Sequence, residues 1–127
     1  MEAIHTTAAP AAIGPYSQAI LNKGMLYASG QIALDPLTAK LVGEDAPEQA
    51  TQIMKNIGAV LAAAKLDYSD IVKCTIFLQD MNDFKAVNAV YSTYFKPPYP
   101  ARETVAVRGL PAGSLVEISF IAASKEA

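Results

Sequence analysis

The sequence predicts an α+β fold, a mixed β-sheet carrying two helices on one face, on three observations. A helical apolar period runs through the residues after Asp45, a second follows Asp80, and runs of period-two alternation flank both. The 127 residues make one domain, 1–127, long enough to bury a core and too short to divide into two.

Residues 8–14, rich in Ala with Pro10 and Gly14 and followed by Pro15, read as an extended or turning segment. Residues 17–21 and 25–29 flank Asn22-Lys23-Gly24 and read as a β-hairpin. Asp35-Pro36 marks a turn, and Leu41-Val42 a short edge strand. Asp45 and Glu48 form a capping-box pattern with Pro47 in the first turn. Ala50, Ile53, Met54, Ile57, Val60, Leu61 and Ala64 then give the apolar stripe of a helix of about four to five turns. Gly58 interrupts it at a cost of about 1 kcal/mol, which implies close approach of a strand. Over 69–78 the period changes: Val72, Cys74, Ile76 and Leu78 alternate with Lys73, Thr75 and Phe77, as in a strand with one core face. A second helix is expected over 83–95, capped by Asp80 or Asn82 and burying Phe84, Val87, Tyr91, Tyr94 and Phe95. The prolines at 97, 98 and 100 exclude helix and central strand, because each removes a backbone donor. Strands over 103–108 and 115–122, joined by 109–114, complete the order ββ(β)αβαββ.

Two helices cover one face of a five- or six-stranded sheet. In the last strand Val116, Ile118, Phe120 and Ala122 form one apolar set, yet Leu115, Ser119 and Ile121, on the side of Glu117, are also largely apolar. An apolar face without helices of its own must meet another chain, so Glu117 is expected near a subunit interface. A chain that is 52% hydrophobic and 17% charged, with positive mean hydropathy, points the same way.

Several function classes are disfavoured. A formal net charge of −2 and the lack of any Lys/Arg run longer than one residue argue against a nucleic-acid partner. Cys74 is the only cysteine and reads as a small buried hydrophobe, so no intrachain disulfide is expected. The lone His5 makes a Ser-His-Asp or Cys-His machine hard to build and leaves too few ligands for most zinc geometries. No metal site is expected. Residues 1–13 lack the positive n-region of a signal peptide, and no apolar run reaches membrane-spanning length, so a cytoplasmic protein with no membrane partner is expected.

The best clue to chemistry is an arginine at the head of one strand followed by a carboxylate inside the next. Arg102, delivered by the stiff segment ending in Pro100-Ala101, suits a fixed fork for a carboxylate or phosphate, or an ion pair with Glu117 or Glu103. Glu117 suits a general base acting through water, or a carboxylate paired across strands. Tyr16, after Gly14-Pro15, reads as a site wall or a core tyrosine, and Ser29-Gly30-Gln31 as a site rim or a strand-end turn. Asn88 reads as an orienting amide or a solvated one, and Tyr68, Tyr91, Tyr94 and Tyr99 as packing.

Ala9–Gln18 as APAAIGPYSQ, Ser29-Gly30-Gln31, Asn88, and Pro100-Ala101-Arg102 followed by Leu110-Pro111 and Glu117 resemble the Rid proteins, closest to the RidA branch. The similarity spans nearly the whole chain in order and spacing. It implies a chorismate-mutase-like fold assembled as a homotrimer with active sites between protomers. It also implies cofactor-independent hydrolysis of 2-iminoacids, such as 2-iminobutanoate and 2-iminopropanoate, to 2-oxoacids and ammonia. On the matching positions, Arg102 would bind the substrate carboxylate with help from the backbone amide near Thr104, and Glu117 would deprotonate the attacking water. Tyr16 would pack on the substrate, Ser29 and Gly30 would border the pocket, and Asn88 would support it. Many bacterial relatives carry Cys where this chain has Thr104, so thiol-dependent behaviour does not transfer. A non-catalytic trimer binding small carboxylates through Arg102 is the competing reading, and a ribonuclease is disfavoured by the acidic charge balance.

Overall fold

The computed structural model describes residues 1–125. The chain runs through β1 (Glu2–Ile4), β2 (Ala19–Asn22), β3 (Met25–Ala28), α1 (Ala46–Ala63), β4 (Ile71–Leu78), α2 (Phe84–Ser92), β5 (Ala101–Ala106) and β6 (Val116–Ala123). The strands form one six-stranded sheet in the order β1-β2-β3-β6-β4-β5. Pairing is antiparallel throughout except between β4 and β5, which are parallel.

The α+β class, the hairpin and both helices stand as the sequence predicts, with corrections at the shorter pieces. β1 escaped sequence reading because three residues cannot display a period. Leu41 makes only an isolated bridge to Leu34, so the expected edge strand there is a loop closure. β5 begins at Ala101, two residues early, because its register starts opposite Lys73 as soon as Pro100 is passed. The second helix starts one residue later than expected and stops at Ser92, and a separate 3-10 turn over Met81–Asp83 precedes it. Neither expected cap serves the helix itself, whose N-cap is Asp83 without a side-chain bond; Asp80 instead caps the preceding turn by accepting the Asn82 amide at 2.9 Å. Tyr94 and Phe95 lie beyond the helix yet still pack, with ring centroids 5.1 Å from Tyr68 and 4.6 Å from Tyr91 respectively.

Asp45 caps α1 by accepting the Glu48 amide at 2.9 Å. The Glu48 carboxylate turns back to the amide of Glu44 at 2.8 Å, one residue outside the cap, so the box is offset. The α1 stripe Ile53, Met54, Ile57, Val60 and Leu61 is wholly buried against Leu26 of β3, Cys74, Ile76 and Leu78 of β4, and Val116, Ile118 and Phe120 of β6. Each such side chain stabilises the fold by about 1.5–3 kcal/mol relative to exposure. These strand residues all project to the helix side. Ile20, Tyr27, Ile121, Ser119, Phe77 and Glu117 project to the other, which neither helix covers.

Gly58 is explained differently from the sequence expectation. A Cβ there would overlap the Tyr68 hydroxyl, which donates to the Met54 carbonyl at 2.6 Å, so the close neighbour is a turn residue and not a strand. Gly58→Ala should therefore lower stability in a urea titration although alanine is the better helix former by about 1 kcal/mol. In a Tyr68→Phe background the substitution should cost less, because the overlapping oxygen is gone; equal cost in both backgrounds would contradict this account.

Candidate active site

Glu117 lies in β6 and its side chain leaves the sheet on the uncovered face. It opens into a cavity of about 460 Å³ whose lining includes Pro10, Ala11, Gln18, Ile32, Leu34 and Pro111. A two-bond bridge brings the next segment alongside: the Gln31 amide donates to the Ile118 carbonyl at 2.8 Å, and Ile118 returns a bond at 3.0 Å. Gly30 is thereby pressed on the carboxylate so closely that a Cβ would overlap it, which explains the glycine better than turn geometry does. Ser29 is committed to structure, its hydroxyl donating to the Ser17 carbonyl at 2.7 Å and its amide to the Gln18 carbonyl at 3.0 Å. Tyr16 is 54% exposed at the cavity mouth, with its hydroxyl 3.4 Å from the Ile13 amide.

Glu117 meets no cation: the ion pairs among the described residues are Lys73–Glu103 and Lys125–Asp70. Burial alone pushes its carboxyl above the ordinary 4.5. Its charged form is thus the disfavoured one. The native state holds this proton more tightly than the unfolded chain, so the stability it contributes is present in acid and lost as pH rises from about 4.5 through the raised value.

Arg102 stands level with Cys74 in the β4–β5 ladder and so projects to the helix side. Its guanidinium carbon lies 4.9 Å from the Tyr91 ring centroid and 5.5 Å from that of Phe84. Nη1 donates to Asn88 Oδ1 at 2.5 Å. Phe84, Asn88 and Tyr91 follow the i, i+4, i+7 spacing of one helix face, so a single stripe of α2 grips the cation. Neither ion pair considered for Arg102 forms. Glu103 projects the other way and accepts from Thr75 Oγ1 at 2.6 Å, with Lys73 Nζ at 3.5 Å. A guanidinium whose partners are all neutral keeps its charge available for an anion. A second cavity of about 410 Å³, walled by Asn88, Tyr91, Ser92, Tyr99, Pro100 and Arg102, opens beside it.

Thr104 follows on the same face, and β5 is the free edge of the sheet. The Val107 amide bonds to the Leu78 carbonyl at 2.8 Å; by strand alternation the amides of Arg102, Thr104 and Ala106 point away from β4. The Thr104 hydroxyl and the Tyr91 hydroxyl are buried without a hydrogen bond of good geometry. Cys74, beside Tyr91, is fully buried and its thiol is pushed up to about 11 by desolvation, consistent with a packing role.

Arg102 and Glu117 do not meet within a single chain, so the ion pair between them weighed as the alternative from sequence does not form there. Arg102 and Glu117 occupy strands consecutive in sequence, but β4 is inserted between them and they project from opposite faces. No residue lines both cavities. The aromatic clamp of Phe84 and Tyr91 was missed by sequence reasoning, which placed both in the core; their helical spacing around Asn88 was the available signal.

Residues 6–124 match the family model described as Endoribonuclease L-PSP. A crystal structure described as a Yersinia pestis protein of the conserved Rid family is 51% identical, with 96% of this chain and 98% of that chain covered and a TM-score of 0.93. The chain belongs to the Rid family. Its fold matches the chorismate-mutase-like fold of the RidA proteins. Among Rid relatives, the 2-iminobutanoate/2-iminopropanoate deaminase of Mus musculus is 51% identical over 119 residues, 94% of this chain and 88% of that one. A crystal structure of E. coli TdcF with bound serine is 38% identical, covers 98% of this chain and 100% of its own, and has a TM-score of 0.93.

The contact between Gly30 and the carboxylate gives a direct test of the Glu117 cavity. Gly30→Ala should leave the fold intact, since the residue is exposed, while displacing the Glu117 side chain and shifting its titration as read by carboxyl NMR. An unmoved carboxyl resonance would show that the contact is not maintained.

Proposed function

We propose that this Rid protein hydrolyses small 2-iminoacids to 2-oxoacids and ammonia, at a site assembled between the subunits of a homotrimer. The observation that carries the reading is the division of labour in the chain. A guanidinium with only neutral partners sits on one face, and a desolvated carboxylate without a cation opens from the other. A second copy can bring them together, and the uncovered apolar face around Tyr27, Phe77 and Ile121 supplies a surface on which that copy can dock. The name of the mouse relative and the serine held by TdcF support a substrate of amino-acid size bearing a carboxylate.

In this mechanism Arg102 of one protomer and its Thr104 amide hold the substrate carboxylate. The other protomer contributes Glu117, with Tyr16 against the substrate and Gly30 leaving room for the carboxylate. Glu117 takes a proton from water as the oxygen attacks C2 of the protonated imine. Glu117 returns that proton to the nitrogen of the resulting carbinolamine, the C–N bond breaks to release ammonia, and the C=O bond forms as the hydroxyl proton passes to the Glu117 carboxylate and on to the departing ammonia as ammonium. An iminium carbon is already electrophilic, so anchoring, an oriented water and a proton carrier suffice. Ribonuclease chemistry draws no support from these two cavities, which offer one arginine and no histidine.

An assay that generates 2-iminopropanoate and 2-iminobutanoate in situ and follows their disappearance tests the reading directly; no acceleration by the native protein would sink it. Arg102→Lys should lower kcat/KM by about 100- to 1000-fold, because an ammonium cannot reproduce the two-donor fork. Glu117→Gln should lower turnover by roughly 100- to 10,000-fold while pyruvate still binds. Co-refolding the two inactive variants in equal amounts should restore about a quarter of native activity, the fraction of interfaces at which random mixing leaves both native residues facing each other. No recovery in assembled mixtures would place both residues in one protomer's site.

The raised Glu117 carboxyl fixes the sign of the pH profile. Activity needs the ionised form, so kcat should fall as the solution is acidified through a limb lying above 4.5. A limb at or below that value would mean that a neighbouring cation overrides burial.

A further inference from the structure

The Pro10–Ala11 wall of the Glu117 cavity belongs to a segment that does little to hold itself in place. Between residues 7 and 16 only Ala9 is buried, and Ile13 is 79% exposed. Its own bonds are few: the Ala8 amide to Thr6 Oγ1 at 3.1 Å, the Tyr16 amide to the Gly14 carbonyl at 2.9 Å, and the long Ile13–Tyr16 contact. One side chain ties it to the sheet. Gln18, 3% exposed, accepts the Thr6 amide on Oε1 at 2.8 Å and turns Nε2 to the carbonyls of Pro10 at 2.8 Å, Thr6 at 3.0 Å and Ala9 at 3.3 Å. Its main chain is anchored in turn, since the Gln18 carbonyl accepts from Ser29 and the next residue opens β2.

We propose that Gln18 is a positioning residue that sets the width of the cavity above Glu117 and thereby decides which substrate side chains the protein accepts. The inference rests on the proposed deaminase reading for the placement of the substrate. With the carboxylate on Arg102 and C2 facing the water at Glu117, the side chain is the part of a 2-iminoacid left to meet the apolar wall. Another part of the lining is held independently, by Asn56 Nδ2 donating to the carbonyls of Ile32 at 3.3 Å and Leu34 at 3.0 Å from within α1. A change at Gln18, which itself lines the cavity, therefore alters its own stretch of the lining and the Pro10–Ala11 stretch it holds while the Ile32–Leu34 stretch stays in place. Side-chain discrimination in an apolar pocket is worth about tenfold or more per methylene, so a small displacement is measurable.

The test uses Gln18→Met, which keeps length and loses every bond, and Gln18→Glu, which keeps the acceptor for Thr6 and turns a carboxylate on three carbonyls. Amide exchange should show Thr6 deprotected in Gln18→Met and still protected in Gln18→Glu. Both variants should change the kcat/KM ratio between 2-iminopropanoate and the 2-iminoacid with the leucine side chain by about tenfold, mostly through KM of the longer substrate. An unchanged ratio in an assembled variant, or equal loss for both substrates, overturns the proposal. Should neither variant assemble, Pro10→Gly loosens the same wall from its solvent side and must shift the same ratio; an unchanged ratio there overturns it too. If the native protein hydrolyses no 2-iminoacid, the deaminase reading fails by itself. Relative binding of pyruvate and 4-methyl-2-oxopentanoate to the native protein and Gln18→Met then decides the role of Gln18, an unchanged preference overturning it.

Discussion

Strand β4 pairs in parallel with β5 on one side and antiparallel with β6 on the other, and the faces from which Arg102 and Glu117 project depend on that double pairing. Its register puts Arg102 opposite Cys74 and Glu117 opposite Phe77. Because side chains alternate across a sheet, Cys74 and Phe77 fall on opposite faces, and they carry their partners with them. A slip of one residue in either ladder would exchange the faces. In the β4–β6 ladder the apolar set Val116, Ile118 and Phe120 opposes it, since these side chains would leave the core for the uncovered face, at about 1.5–3 kcal/mol each. Core packing thus fixes the direction of Glu117 without touching it, whereas Arg102, on an edge strand with no buried residue, is held on its face by α2.

The α2 clamp completes that fixation for the cation. An exposed arginine loses much side-chain freedom when it closes on a carboxylate, and this cost weakens binding. Here Phe84 and Tyr91 flank the guanidinium, and Asn88 holds one nitrogen, so much of the ordering is in place beforehand. The chosen partners are neutral. A carboxylate in the place of Asn88 would hold the arginine as firmly but would spend its charge before a ligand arrived.

The α+β class, the hairpin, the long α1 stripe and the alternation of β4 from Cys74 onward were legible in the sequence, because each is long enough to display its period or carries its own turn residues; Val72 was not, since the register shifts between Ile71 and Lys73, leaving Val72 exposed and Ile71 buried. β1 was not, being three residues long. The position of β4 between β5 and β6 was invisible for a different reason: strand order is set by the whole set of buried faces, and no local pattern in 101–123 records it. Arg102, Glu117, Tyr16, Ser29 and Gly30 could be singled out, yet their separation on two faces could not. The uncovered apolar face was legible from Ser119 and Ile121, while Leu115, expected with them, packs against the core; under the proposed assembly this face makes the separation intelligible.

In the proposed trimer, burial of Glu117 and the approach of a cation would act on it in opposite senses, and this would constrain how a neighbouring protomer docks. Burial raises its carboxyl, whereas a guanidinium at 4 Å, with an effective dielectric of about 20, would favour the ionised form by about 4 kcal/mol. That exceeds a typical partial-burial penalty and would make the carboxylate a poor proton acceptor. At about 8 Å the same interaction falls to about 2 kcal/mol, and a substrate carboxylate lying on the arginine cancels much of it. A base that stays useful therefore needs the cation near enough to anchor the substrate and far enough to leave Glu117 unpaired. Under the proposed function, a small iminoacid between the two groups would meet both conditions, with its carboxylate on the guanidinium and its C2 toward the water. The geometry of a single chain already honours half of this requirement, since the fold forbids Arg102 from reaching its own Glu117.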